Sequence, residues 1–278
     1  MNARADLGTN FSTRAVVRTS RRAGAALAMA SVLAIAGFTV LGSVFEYPQI
    51  LGEPTAEVLA LYREHQGAVV TWFLVLVVSA ALMAPAGIWL GRLTGGTLGR
   101  WIAGTGIAAA VVQVVGLQRW VTLVPGLSRD ALDPSRRAAA EDRFELWHTV
   151  LGKAIGETLG YALTATFTVL VVIALRRRSL PMWLAVVGLT SAALIATGVV
   201  IPLVETASLT NFAGYVAWCA WLIAVAVVLF HVRGNEHPYA EPQHQSDKLD
   251  RHRQGERHQR ADEQGGPTDE SPEGRRGG

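Results

Sequence analysis

Six stretches of this sequence are apolar for long enough to cross a bilayer, and that feature excludes most architectures. They cover residues 23–45, 67–90, 101–124, 149–175, 181–204 and 212–232. A hydrocarbon core of about 30 Å takes about 20 apolar residues in helical form. Within it each backbone N–H and C=O must be satisfied inside the segment, which selects the α-helix. The expected fold class is all-α: a polytopic bundle of six transmembrane helices embedded in a lipid bilayer. The first stretch follows a basic segment, as in a signal peptide. Its 23 residues exceed the roughly 7–15 of a signal core, so it reads as an uncleaved span.

Charge orients the bundle. Residues 1–22 form a basic N-terminus with Arg4, Arg14, Arg18, Arg21 and Arg22. Arg92 and Arg100 bracket the turn after the second stretch, and Arg176, Arg177 and Arg178 follow the fourth. Short basic loops stay in the cytoplasm, so both termini are expected there. Arg129, Arg136, Arg137 and Arg143 run against this, on a loop long enough to weaken the rule. Two lysines accompany 23 arginines, the usage of a GC-rich bacterial genome, so the membrane is expected to be the bacterial plasma membrane.

The net charge of +3 conceals a split, because residues 233–278 hold eight basic and ten acidic side chains. That tail has almost no apolar residues and is expected to be disordered and cytoplasmic, where it can meet a partner. Its His237, His244, His252 and His258 follow no zinc-ligand spacing. With no folded soluble face to carry a phosphate-tracking stripe, no nucleic-acid partner is expected. The single cysteine, Cys219, excludes an intrachain disulfide.

The chemistry gathers between Glu141 and Leu175. Glu145, His148, Lys153 and Glu157 lie within four helical turns, with Gly152, Gly156 and Gly160 repeating every fourth residue between them. Counting about 20 residues per crossing puts Glu157, Gln118 and Arg119 at the outer edge of the hydrocarbon. Glu46 and Glu205 fall just beyond it, and Asn211 and Tyr215 start the sixth stretch at the same level. Polar residues at one depth on five helices read as an outward-facing vestibule. On an ideal helix Lys153, Glu157, Tyr161, Thr164 and Thr168 share a stripe, beside a glycine stripe suited to close helix packing. The architectural reading is that Glu157 pairs with Lys153 or Arg119. Before the second stretch, Glu53-Pro54 is expected to start a short helix lying along the interface, carrying Val58, Leu59 and Tyr62. Asp133-Pro134 is expected to start a helix that leads toward the fourth stretch.

A metal site is disfavoured. His148 falls about 180° from Glu157 on a straight helix, so the two cannot share an ion without a break between them. Glu145 shares a face with His148, and His65 is the other histidine within reach, but no HExxH or paired-cysteine motif occurs. His148 reads as an interfacial ring beside Trp147. No GxSxG or phosphate-binding glycine loop is present, and no cofactor is expected.

Four short motifs carry a resemblance: Gln118-Arg119-Trp120, Gly156-Glu157-Thr158-Leu159-Gly160, Pro181-Met182-Trp183, and the run Asn211-Phe212-Ala213-Gly214-Tyr215-Val216-Ala217-Trp218. In their order and spacing, from Arg22 to Arg233, the chain resembles the bacterial membrane family known as domain of unknown function 4386. The resemblance implies a helical integral membrane protein and supplies no catalytic residues. The expected function is to bind or transport a small solute, ion or lipid headgroup in the vestibule, through Glu157, Arg119, Gln118, Lys153, Tyr161, Glu46, Glu205, Asn211 and Tyr215. Two other readings stand beside it: a membrane enzyme using Glu157 as acid or base, and a non-catalytic scaffold or sensor.

Overall fold

The computed structural model describes residues 3–178, 180–201 and 207–231, with side chains from residue 14 onward. Glu205 and the tail with its four histidines lie outside the described residues. Among the described residues every regular element is helical. Helix α1 covers Ala3–Val44 and α2 Thr55–Glu64. The second span is α3, Gln66–Ala81, followed by α4, Met83–Thr94. The third is α5, Gly96–Thr122, continued by α6, Val124–Asp130. The fourth joins α7, Arg137–Trp147, through a π-helical segment, His148–Leu159, to α8, Gly160–Arg176. Helix α9, Met182–Ala196, ends in a 3-10 turn, Thr197–Val200, and α10 is Ala207–Phe230.

Six of these runs are long and apolar enough to span a membrane: Arg14–Val44, Gln66–Thr94, Gly96–Asp130, Arg137–Arg176, Met182–Val200 and Ala207–Phe230. Their limits differ from the expected ones for local reasons. Helix α1 starts before the apolar run, so the arginines of the basic N-terminus lie on the same helix as the first span. The second span breaks at Leu82, one turn before Pro85, which has no N–H to donate four residues back. Pro125 does not open a loop. It sits in the first turn of α6, where its missing N–H costs nothing. Asp133 makes a turn instead of a helix start, its carboxylate accepting the Ser135 N–H at 2.9 Å and the Ser135 hydroxyl at 2.7 Å. Those bonds, then the Arg136 guanidinium, hold the Asp133 carboxyl below its ordinary pKa.

Each span packs on its neighbours in sequence, and α1 closes on α10, so the six form a ring. One end carries the α2, α6 and α7 connections and is called here the loop end. The other carries Arg14 to Arg22, Arg92 and Arg176 to Arg178 and is called the basic end. Glycines set the closest approaches. The α4–α5 turn needs positive φ at Gly95 and Gly96, 73° and 58°. Below it Gly91 lies against the Gly99 carbonyl, and a Cβ on Gly87 would sit 3.1 Å from the Gly106 Cα. The expected glycine stripe of the fourth span forms such a seam: a Cβ on Gly116 would lie 2.6 Å from the Gly156 Cα, and one on Gly160 3.3 Å from the Gln113 Cγ.

The loop end is closed by aromatic rings around Trp120. Phe73 stacks on it at 5.0 Å between centroids, and Phe45 and Phe144 meet it edge-on at 5.2 and 5.9 Å. The Tyr62 hydroxyl donates to the Trp120 carbonyl at 2.9 Å. Helix α2 packs into this cluster through Val58, Leu59 and Tyr62, which are buried in it. Its apolar stripe is satisfied by protein because the third span rises far enough to meet it.

The Gly116–Gly156 contact leaves no room for a methyl group. Gly116→Ala is expected to destabilise the protein by about 1–3 kcal/mol, read as a lower Tm in detergent. Gly104→Ala, on the same helix with nothing within 4 Å of the added carbon, is expected to leave Tm unchanged.

Candidate functional site at the loop end of the ring

Arg119 is the centre of the site and is only 5% exposed. Its guanidinium lies on the bare backbone of Gly152, where a Cβ would come within 2.7 Å of Cζ. One terminal nitrogen donates to the Gly116 carbonyl. The other is 3.4 Å from His148 Nδ1, and Cζ is 5.2 Å from the centre of the Trp120 ring.

His148 is the main correction to the sequence reading. It is 7% exposed and stacked on Phe144 at 5.7 Å, so it is not a ring of the membrane interface. The straight-helix angle fails because the chain is π-helical from His148 to Leu159. Hydrogen bonding to the fifth residue widens each turn, and such segments concentrate at functional sites. Arginine nitrogens are donors only, so His148 Nδ1 accepts and its proton sits on Nε2.

Three buried side-chain nitrogens here have no hydrogen-bond partner among the described residues: Arg119 Nε, Trp120 Nε1 and His148 Nε2. All three are N–H donors. A buried donor left without an acceptor costs about 1–3 kcal/mol, so the cluster favours a group rich in acceptors.

Glu157 is partly buried and within electrostatic reach of Arg119, Lys153, Tyr47, Tyr161 and Tyr215. It forms no direct ion pair with either base. Among the described residues the ion pairs are Glu64–His65 and those of Arg136 with Asp130 and Asp133. Tyr161 and Tyr215 meet at 5.7 Å between ring centres, and Gln113 donates to the Thr164 hydroxyl at 3.0 Å.

The other expected residues divide: some face away from this group, and Asn211 lies beside it, since a Cβ on Gly198 would run into both the Tyr161 ring and Asn211 Nδ2. Gln118 faces away from the bundle on the exposed side of α5, and Lys153 is exposed on the π-helical segment, whereas Glu157 is partly buried. Glu46 is exposed, and its neighbour Tyr47 comes near Glu157 and Arg119 instead. Asn211 is buried but donates to the Ile195 carbonyl at 2.8 Å, near where α9 gives way to the 3-10 turn. Glu145 is exposed while His148 is buried, and His65 faces Glu64 at 3.8 Å, so these three do not converge. No group of three or more potential metal ligands occurs among the described residues. The sequence reading placed Thr164 on the Glu157 stripe but missed Tyr47 and Gln113. Gln113 was visible as a lone amide in an apolar run.

Six apolar helices with a buried polar cluster near one end of their ring define a multi-pass α-helical membrane protein. The chain belongs to the family described as Domain of unknown function (DUF4386), whose model matches residues 22–226. No curated protein and no solved structure matches it.

Burial raises the hydroxyl of Tyr62 to a pKa of about 12. At Tyr47 burial and then the Glu157 charge do the same, against the opposing Arg119 charge, again to about 12. Unfolded tyrosine titrates near about 10. The folded state thus holds both protons more tightly, a stabilising contribution complete below about pH 10 and lost as pH rises through about 12. In a tyrosinate absorbance titration, Tyr47→Phe and Tyr62→Phe are each expected to remove one late-titrating group and leave absorbance near pH 10 unchanged.

Proposed function

We propose that the protein binds a small solute bearing an anionic, acceptor-rich group, a carboxylate or phosphate, in the loop-end mouth of the ring, and that this mouth faces outward. The observation that carries the reading is the set of three buried, unpartnered N–H donors around the Arg119 guanidinium. Arg119 supplies the positive charge, with Nε free to form a second, charge-assisted bond. His148 and Trp120 supply neutral donors from either side. Glu157, beside Tyr161 and Tyr215, gives the mouth a carboxylate that favours a ligand carrying a cationic or hydroxyl group at its other end. The family match supports the membrane architecture and leaves the ligand open.

Purified protein in detergent tests this by thermal shift against a panel of small carboxylates, phosphates and amino acids, each with its uncharged amide or alcohol analogue. At least one anion is expected to raise Tm while its neutral analogue does not. The shift should be lost in Arg119→Gln and reduced about tenfold in apparent affinity in Trp120→Phe, which deletes one donor and keeps a ring. Stabilisation that persists in Arg119→Gln, or a panel without effect, overturns the reading.

We assign the basic end to the cytoplasm on the distribution of Arg14 to Arg22, Arg92, Arg100 and Arg176 to Arg178. In a Cys219→Ala background, Ala138→Cys is expected to react with a membrane-impermeant maleimide in intact cells. Thr97→Cys is expected to react only after permeabilisation.

A further inference from the structure

The basic end holds two kinds of arginine. Arg176 donates to the Leu180 carbonyl at 2.6 Å, and Arg178 to the Leu93 carbonyl, so these side chains tie the fourth span to its surroundings. Arg14, Arg18, Arg21 and Arg22 of α1 are different. All four are exposed and none forms an ion pair among the described residues. Together with Val17, Ala25 and Phe230 they line a shallow, widely open groove with about 690 Å3 of accessible space.

The position of this groove specifies its occupant. At about 100° per residue the four arginines occupy an arc of roughly 100° on α1. Ala25, Met29 and Val32 lie within the same arc, so the charged face runs directly into exposed apolar side chains, Met29 being 54% and Val32 55% exposed. The apolar run starts at Ala23, which puts Arg22 at the hydrocarbon boundary and Arg14 about 12 Å further out along the helix. The face is therefore basic at headgroup depth and apolar at acyl depth. An arginine fork matches a phosphodiester, which it holds by paired N–H bonds.

We propose that this groove is a binding site for an anionic phospholipid, its phosphate held by Arg14, Arg18, Arg21 and Arg22 and its acyl chain laid along Ala25, Met29 and Phe230. A role in topology alone requires the positive charge but no groove and no lipid preference. The site is separate from the loop-end cluster and does not depend on what that cluster binds.

The test uses the full chain, reconstituted in nanodiscs of equal parts phosphatidylglycerol and phosphatidylcholine, released into detergent, with retained lipid measured by native mass spectrometry. The wild type is expected to keep phosphatidylglycerol in preference to phosphatidylcholine. Arg18→Gln/Arg21→Gln should weaken that retention roughly thirtyfold, a factor of about five per arginine, with phosphatidylcholine retention and Tm unchanged. The all-lysine variant of the four positions keeps the charge and is expected to fall between them. Equal retention of both lipids by the wild type, or unchanged retention in the double variant, overturns the proposal. So does displacement of phosphatidylglycerol by soluble glycerol phosphate, which would make the groove a phosphate site. Retention that emerges only when residues 234–278 are deleted also overturns it, by assigning the groove to the chain's own acidic tail.

Discussion

The Arg119 guanidinium rests on the backbone of Gly152, and the loop end of the ring depends on that contact. A side chain at residue 152 would occupy the space of the guanidinium itself. With only hydrogen there, the third and fourth spans come close enough for Gly116 to meet Gly156 and for Gln113 to reach Thr164. A charge removed from water must be neutralised or hydrogen-bonded. Here the Gly116 carbonyl, the His148 nitrogen and the Trp120 face do part of this, and the Nε–H is left without a partner. Arg119 is thus at once a packing element and an incomplete binding site.

The π-helical segment links these two roles. Over its wider turns His148 lies inward at the guanidinium, Glu157 is partly buried and Lys153 is exposed. An ordinary α-helix over the same residues would separate His148 from Glu157 by half a turn. The aromatic group around Trp120 then closes the end of the ring with α2, holding Phe144 and with it the stacked His148. The donors without partners are therefore held by well-packed neighbours, which is how a preformed site is kept in geometry.

The basic end shows the same economy with arginine. Where the chain must turn between spans, Arg176 and Arg178 satisfy backbone carbonyls. On the outer face of α1, its arginines form no ion pair among the described residues and line a widely open groove. One residue type serves structure in one place and offers charge to the surroundings in another, and only its neighbours distinguish the two.

Much of this was legible in the sequence. Six apolar runs specified six helices because a span must satisfy its backbone locally and cover itself with apolar side chains, and both requirements are met by residues a few positions apart. The glycine repeat in the fourth span announced a close seam for the same reason. What the tertiary structure decided was which polar residues meet. Gln118, Lys153 and Glu46 share the depth of Arg119 but face outward. His148 and Tyr47 join it, and Asn211 is used to tie the α9–α10 end. Depth along a helix is additive in residue number, so a sequence determines it. Direction around the helix depends on the pitch of every turn before it and on the neighbour that packs there, and in this protein a π segment and a glycine contact changed both.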